Sequence, residues 1–179
     1  MPIDDNDIYT SMRRNPESGI RMVMQKYGEP VYWHARRLLV SHDDAQDAVQ
    51  ETFIKVYRSF HSLKEAKALR SWIYRIATNE ALRIIGQNKT PRLLTESIDD
   101  SATDIAAADY TDYTDLEAVK LQKAILSLPP KQQATFNMRY YDEMEYQQIA
   151  EAMETTVSTV KVNYHLAKEK IIKYMNSND

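Results

Sequence analysis

Residues 146–175, YQQIAEAMETTVSTVKVNYHLAKEKIIKYM, decide how the chain is read. Apolar residues at Tyr146, Ile149, Ala150 and Met153 recur at steps of three and four, one face of a short helix. After a break at Glu154 and Thr155, Val160, Tyr164, Ala167, Ile171 and Met175 define the apolar face of a longer one. Two helices joined by so short a turn make a helix-turn-helix. The other face of the second helix holds Lys161, His165 and Lys168, and between Val157 and Tyr174 four lysines stand against Glu169 alone. Solvated lysines are ordinary on a surface helix. The second helix of a helix-turn-helix, however, enters the major groove of DNA N-terminus first. There lysines neutralise phosphates, and polar side chains near the helix start, here Ser158 and Thr159, meet base edges.

Upstream of this pair, Leu121, Ile125 and Leu128 share a helical face until Pro129 and Pro130 stop it. Proline is tolerated in a first turn, so a new helix begins there and runs through KQQATFNMRYY. The same spacing covers most of the 179 residues, only three of which are glycine, and the expected fold class is all-α. With 43% hydrophobic residues the chain buries a core. No cysteine is present and the four histidines are scattered, which excludes disulfides and thiolate centres and leaves no metal or cofactor site to expect. Phosphate-cradling glycine loops are absent, and no nucleophile has a base and an orienting group at a defensible spacing, so the chain is not expected to be an enzyme. The acidic start MPIDDNDIY and the lack of any apolar run near the roughly 18 residues of a membrane span lead us to expect a soluble cytoplasmic protein.

The charge is unevenly spread. Residues 1–20 carry a net −2, 21–95 a net +6, 96–117 a net −8 and 118–179 a net +1. The acidic segment ESIDDSATDIAAADYTDYTDLE lacks helical periodicity and sits between two periodic regions, as a linker between two small helical domains would. It is either a solvated spacer or a mimic of nucleic acid inside a basic channel of a partner.

In the basic block, Ser41 and Asp44 form a capping arrangement ahead of HDDAQDAVQETFIKVYRSF. Ala45, Val49, Phe53, Val56 and Phe60 form its buried face, and Asp47, Gln50, Glu51, Ile54 and Arg58 its outer one. A further helix from about residue 67 to 87 buries Leu69, Ile73, Ile76, Ala77 and Ile84 and turns Arg75, Asn79 and Arg83 elsewhere at steps of four. Two arginines flanking an asparagine suit a DNA strand, cations on phosphates and amide on a base edge. Trp72, within the apolar stripe, is read as core.

The string LPPKQQATFNMRYYDEMEYQQIAEAMETTVSTVKVNYHLAKEKI resembles region 4 of bacterial RNA polymerase sigma factors of the extracytoplasmic-function (ECF) type, and DAQDAVQETFIKVYRSF with LRSWIYRIATNEALRI resembles region 2. The resemblance implies an N-terminal extension over 1–20, region 2 over 21–95, a linker over 96–117 and region 4 over 118–179. It implies that Asp47, Gln50, Glu51 and Ile54 dock on the clamp helices of the polymerase largest subunit, with the polymerase flap as a further contact. It places Ser62, Leu63 and Lys64 in the loop that captures an unpaired base of the minus-ten element, beside Arg75, Asn79 and Arg83. Ser158, Thr159, Lys161, Val162, His165 and Lys168 would meet the minus-thirty-five element, and an anti-sigma factor would hold both faces off DNA.

Departures from the family pattern are concentrated at contacts. Leu63, Lys64, Glu65 and Ala66 stand where an Arg-Gly-Asp-like stretch is common; Glu154 and Ser158 stand where glycine is usual; Val162, Asn163 and Leu166 stand where Ser and Arg are frequent. More shape and phosphate readout is therefore expected at the upstream element, with Lys161 and His165 the main contacts. The alternative is a stand-alone helix-turn-helix regulator that binds duplex DNA without polymerase. It leaves the Asp47, Gln50, Glu51 face and the acidic segment without a role. A helical interaction protein with no DNA role is a second alternative.

Overall fold

Asn15 closes one helix and opens the next. Its backbone N–H caps α1 (Asp5–Arg14) at the Ser11 carbonyl, and its side-chain oxygen accepts from the Ser18 N–H at the start of α2 (Pro16–Leu38). So tight a junction folds α1 back on α2, and Gly19 permits the contact: a Cβ there would lie 2.6 Å from the Met12 backbone. The segment taken as an extension thus contributes Ile8 and Met12 to the first bundle's core, and the boundary at residue 20 falls inside α2. The α1 signal is only two buried apolar residues one turn apart, too little to mark the helix as packed.

The computed structural model describes residues 2–39, 41–87 and 116–177. The proposed linker lies outside the described residues except for Leu116 and Glu117, which open α5. Ser41 accepts from the Asp44 N–H and starts α3 (His42–Ser59), as its sequence implies. Two 3-10 turns, Phe60–Ser62 and Ala66–Ala68, lead into α4 (Leu69–Gln87). Val23, Tyr27, Val31, Phe53, Val56, Phe60, Leu69, Trp72 and Ile73 fill the space between α1 and α4, and Trp72 is core as expected.

The second bundle comprises α5 (Leu116–Leu126), α6 (Pro130–Tyr140), α7 (Tyr146–Met153) and α8 (Val157–Met175). Pro130 occupies the first turn of α6, where its missing N–H costs nothing. Ile125, Leu128, Phe136, Ala167 and Ile171 form its core, and Phe136 stacks on Tyr164 at 5.7 Å. No strand occurs among the described residues.

A third core joins the two bundles. Leu38, Tyr74, Ala81 and Ile84 of the first pack with Ala134, Met138, Met144, Ile149 and Val160 of the second, α4 lying on α7 and α2 on α6. Polar contacts close the seam: Tyr74 donates to Asp142 Oδ1 at 2.8 Å, Arg70 to the Asp142 carbonyl, and Gln133 to the Arg37 carbonyl.

His34 is fully buried between α2 and α4, with Nε2 2.7 Å from Thr78 Oγ1 and its ring 5.0 Å from that of Tyr74. Burial, and secondarily the Arg37 guanidinium, lower its pKa from 6.5 to about 3. The unfolded ring binds a proton near 6.5 and the folded one only near 3, so the stability that neutral His34 contributes is complete above the first value and declines as pH falls toward the second. Between pH 7 and 5, urea unfolding of the wild type should lose about 2 kcal/mol more than that of His34→Gln. Equal losses would mean the ring does not control the acid limb.

Candidate nucleic-acid interface

The outer face of α3 is built as its periodicity requires. Asp47, Gln50 and Ile54 are exposed and Glu51 is half-buried. Asp47, Gln50 and Ile54 border a groove of about 850 Å³ whose floor includes Val49 and Phe53 and whose far wall is Ile20 and Met24 of α2. Met24, Ile54 and Tyr57 are 51%, 36% and 46% exposed, large apolar groups left in water beside carboxylates. Ile20 and Met24 were missed from sequence because they lie on a different helix, and only packing reveals that they complete the groove.

The loop after α3 is braced from the N-terminus. Tyr9 donates to the Lys64 carbonyl at 2.9 Å, its ring 5.6 Å from Phe60. Ser62 and Lys64 are exposed, while Leu63 is buried in the first core and also lines the hollow beneath the loop. An apolar side chain in a loop over a bundle gains more from that core than from water. Beneath the loop lies a hollow of about 310 Å³ bounded by Ser62, Lys64, Ser71, Trp72 and Arg75.

The second bundle fills part of that hollow. Glu151 of α7 accepts from Ser71 at 2.9 Å, and Glu154 lies 3.7 Å from Arg75. Arg83 is also engaged, its guanidinium donating to Glu80 Oε2 at 2.9 Å while Lys55 bonds the other oxygen. Burial works to raise the Glu80 carboxyl, but the hydrogen bonds from Lys55 and Arg83 prevail and hold it below its ordinary range. Of the three residues read as a DNA-facing stripe, Asn79 is exposed, Arg75 faces a carboxylate of the other bundle, and Arg83 is clamped by its own helix.

In the second bundle the residues read as DNA contacts share the exposed side of one helix. Glu145 and Gln148 form a capping box at the start of α7, and Thr156 caps α8 by accepting from the Thr159 N–H. Ser158, Thr159, Lys161, Val162, His165 and Lys168 are all exposed, on the face away from Val160, Ala167 and Ile171. Lys161 Nζ lies 5.7 Å from the Tyr146 ring and Lys168 Nζ 5.5 Å from that of Tyr164, while His165 Nε2 lies 3.1 Å from Glu169 Oε1. Between the helices Glu154 adopts φ 55°, ψ 47°, the left-handed conformation that a glycine takes without penalty. Glu154→Gly should therefore raise stability by about 0.5–1 kcal/mol despite losing a surface ion pair, read as a higher urea midpoint at unchanged slope. A lower midpoint would show that the Arg75 contact outweighs the backbone strain.

A cationic second helix in a helix-turn-helix, joined to a bundle with a partly apolar groove, is the arrangement of a DNA-binding transcription regulator. Comparison with known proteins narrows the class. The family model for Sigma-70 region 2 matches residues 23–90, and that for Sigma-70, region 4 matches residues 118–171. The ECF RNA polymerase sigma-E factor of Haemophilus influenzae is 27% identical over 179 residues, 94% of each chain. The ECF RNA polymerase sigma factor SigW of Bacillus subtilis is 25% identical over 174 residues, 92% of each. Among solved structures, CnrH in complex with the cytosolic domain of CnrY superposes with a TM-score of 0.75 at 15% identity, covering 98% of this chain and 99% of that one. The sigma factor RpoE in complex with the anti-sigma factor NepR, from Bartonella quintana, gives 0.66 at 18% identity, covering 89% and 98%. The chain belongs to the sigma-70 family, in its ECF branch.

Proposed function

We propose that the two bundles divide promoter recognition between them. The chain is a sigma factor that binds core RNA polymerase and directs it to specific promoters. The first bundle, α1 to α4, opens and holds the minus-ten element, and the second, α5 to α8, grips the minus-thirty-five element as duplex. The observation that carries this reading is the exposed stripe from Ser158 to Lys168 on the second helix of a helix-turn-helix, in one chain with the α3 groove. That groove, rimmed by Asp47, Gln50 and Ile54, docks with the neighbouring Glu51 on the clamp helices of the largest polymerase subunit, and the second bundle takes the flap.

In the arrangement described, Ser71 and Arg75 are engaged by Glu151 and Glu154, so the bundles must part before the hollow receives an unpaired base. Extruding a base costs a few kcal/mol that the pocket must return, which occupied donors do not supply. The solved RpoE is bound to an anti-sigma factor, and a partner of that kind is expected here, acting in the cytoplasm where polymerase and chromosome meet. No helix among the described residues is long and apolar enough to cross a membrane.

The test is co-purification with core polymerase from the host, followed by run-off transcription. Stoichiometric association with promoter-dependent initiation, and weak duplex binding by the free chain, is the expected result. A chain that ignores core polymerase yet binds a duplex site tightly would be a stand-alone regulator.

A further inference from the structure

We infer that Val162 and Leu166 recognise the C5 methyl groups of thymines in the upstream promoter element, so that α8 selects A·T pairs by apolar contact. This rests on α8 being the helix that enters the duplex. Val162 is 56% exposed and Leu166 37%, one turn apart on the side of the helix opposite Val160, Ala167 and Ile171. Neither belongs to any of the three cores. Ile172, also exposed, lies about 80° round the axis from Val162, so the pair does not extend into a larger apolar face. Two side chains among Lys161, His165 and Glu169 are too small a patch to hold a protein partner, which needs several hundred Å².

The polar inventory points the same way. Neither α7 nor α8 contains an arginine, so the commonest base-specific contact, a guanidinium fork on guanine O6 and N7, is not available from this helix-turn-helix. Lys161 and Lys168, at the flank, sit beside the Tyr146 and Tyr164 rings. Beside the polar Ser158 and His165, what the outward face offers a base edge is the methyl groups of Val162 and Leu166. In the major groove the one apolar feature of a base pair is the thymine C5 methyl. Residues four apart on a helix are separated by about 6 Å along the axis, against about 3.4 Å per base-pair step, so the two side chains reach thymines one or two steps apart.

The experiment uses holoenzyme assembled from host core polymerase and the full chain. The probe is the duplex that this holoenzyme enriches from DNA randomised across both promoter elements. Each upstream thymine is replaced in turn by deoxyuridine, which keeps its pairing and lacks only the methyl. Two nearby replacements should each weaken wild-type binding about fourfold, the effect of one buried methyl. Val162→Ala should be insensitive at one of these positions and Leu166→Ala at the other. Both sites are solvent-exposed and alanine favours helix, so folding is preserved. If the upstream element is enriched but every deoxyuridine duplex binds within about 1.5-fold, the methyl assignment fails while α8 remains the duplex-reading helix. If no upstream element is enriched and Lys161→Glu with Lys168→Glu changes nothing, the reading of α8 fails and the methyl assignment with it.

Discussion

Asp47→Arg combined with Glu51→Arg should reduce association with core polymerase at least about a hundredfold, removing the chain from the purified holoenzyme. The two carboxylates lie one turn apart on α3, Asp47 exposed and Glu51 half-buried, and Asp47 lines a groove whose apolar walls come from α2 and α3. Apolar burial at such a groove supplies affinity, and the charges at its edge set orientation and reject wrong partners. Reversing both turns attraction into like-charge repulsion, which costs several kcal/mol at a docked interface. The fold should hardly notice: neither side chain contributes to the cores, and substitutions at such positions change stability by about 0.5 kcal/mol or less. Gel filtration of reconstituted holoenzyme, with unfolding curves for the free variants, separates the two effects. A folded double variant that still elutes with core polymerase would show that α3 does not form the docking face.

The same helix illustrates what a sequence carries and what it does not. The spacing of Ala45, Val49, Phe53 and Val56 specifies which side of α3 is buried, and Ser41 specifies where it starts, because both are local consequences of helix geometry. The break at Glu154 and the Pro130 start are legible for the same reason. The burial of Leu63 was not legible, because one apolar residue in a polar loop has no period, and its destination depends on the core beneath. Arg83 shows a different limit. Its three-residue spacing from Glu80 was readable, yet what closes that pair is Lys55 of another helix, which holds the carboxylate in place. The seam between the bundles was not legible at all. Tyr74 and Asp142 are 68 residues apart, and nothing local to either names the other.

Asp142→Arg tests that seam and should produce the larger conformational effect. Asp142 accepts the Tyr74 hydroxyl at 2.8 Å, and its carbonyl accepts from Arg70. Next to it, the Arg37 guanidinium lies 4.0 Å from the Tyr141 ring. A guanidinium at position 142 would lose the acceptor and stand among Arg37 and Arg70, a change costing about 3 kcal/mol where charges are partly buried. That weakens the joint between α4 and α7 and shifts the chain toward the parted arrangement, without touching the separate cores of the two bundles. Small-angle scattering of the free chain should show a radius of gyration raised from the about 16 Å expected of a closed chain this long. Once α7 withdraws, Glu151 and Glu154 leave Ser71 and Arg75, and the free variant should bind a single-stranded oligonucleotide about tenfold more tightly than the wild type, with the gain abolished by adding Arg75→Glu. Within holoenzyme the two proteins should bind promoter DNA equally if, as proposed, the bundles part on polymerase. A variant that opens without gaining affinity would show that the two carboxylates do not mask the hollow. One that gains affinity equally in holoenzyme would show that the added arginine itself contacts DNA.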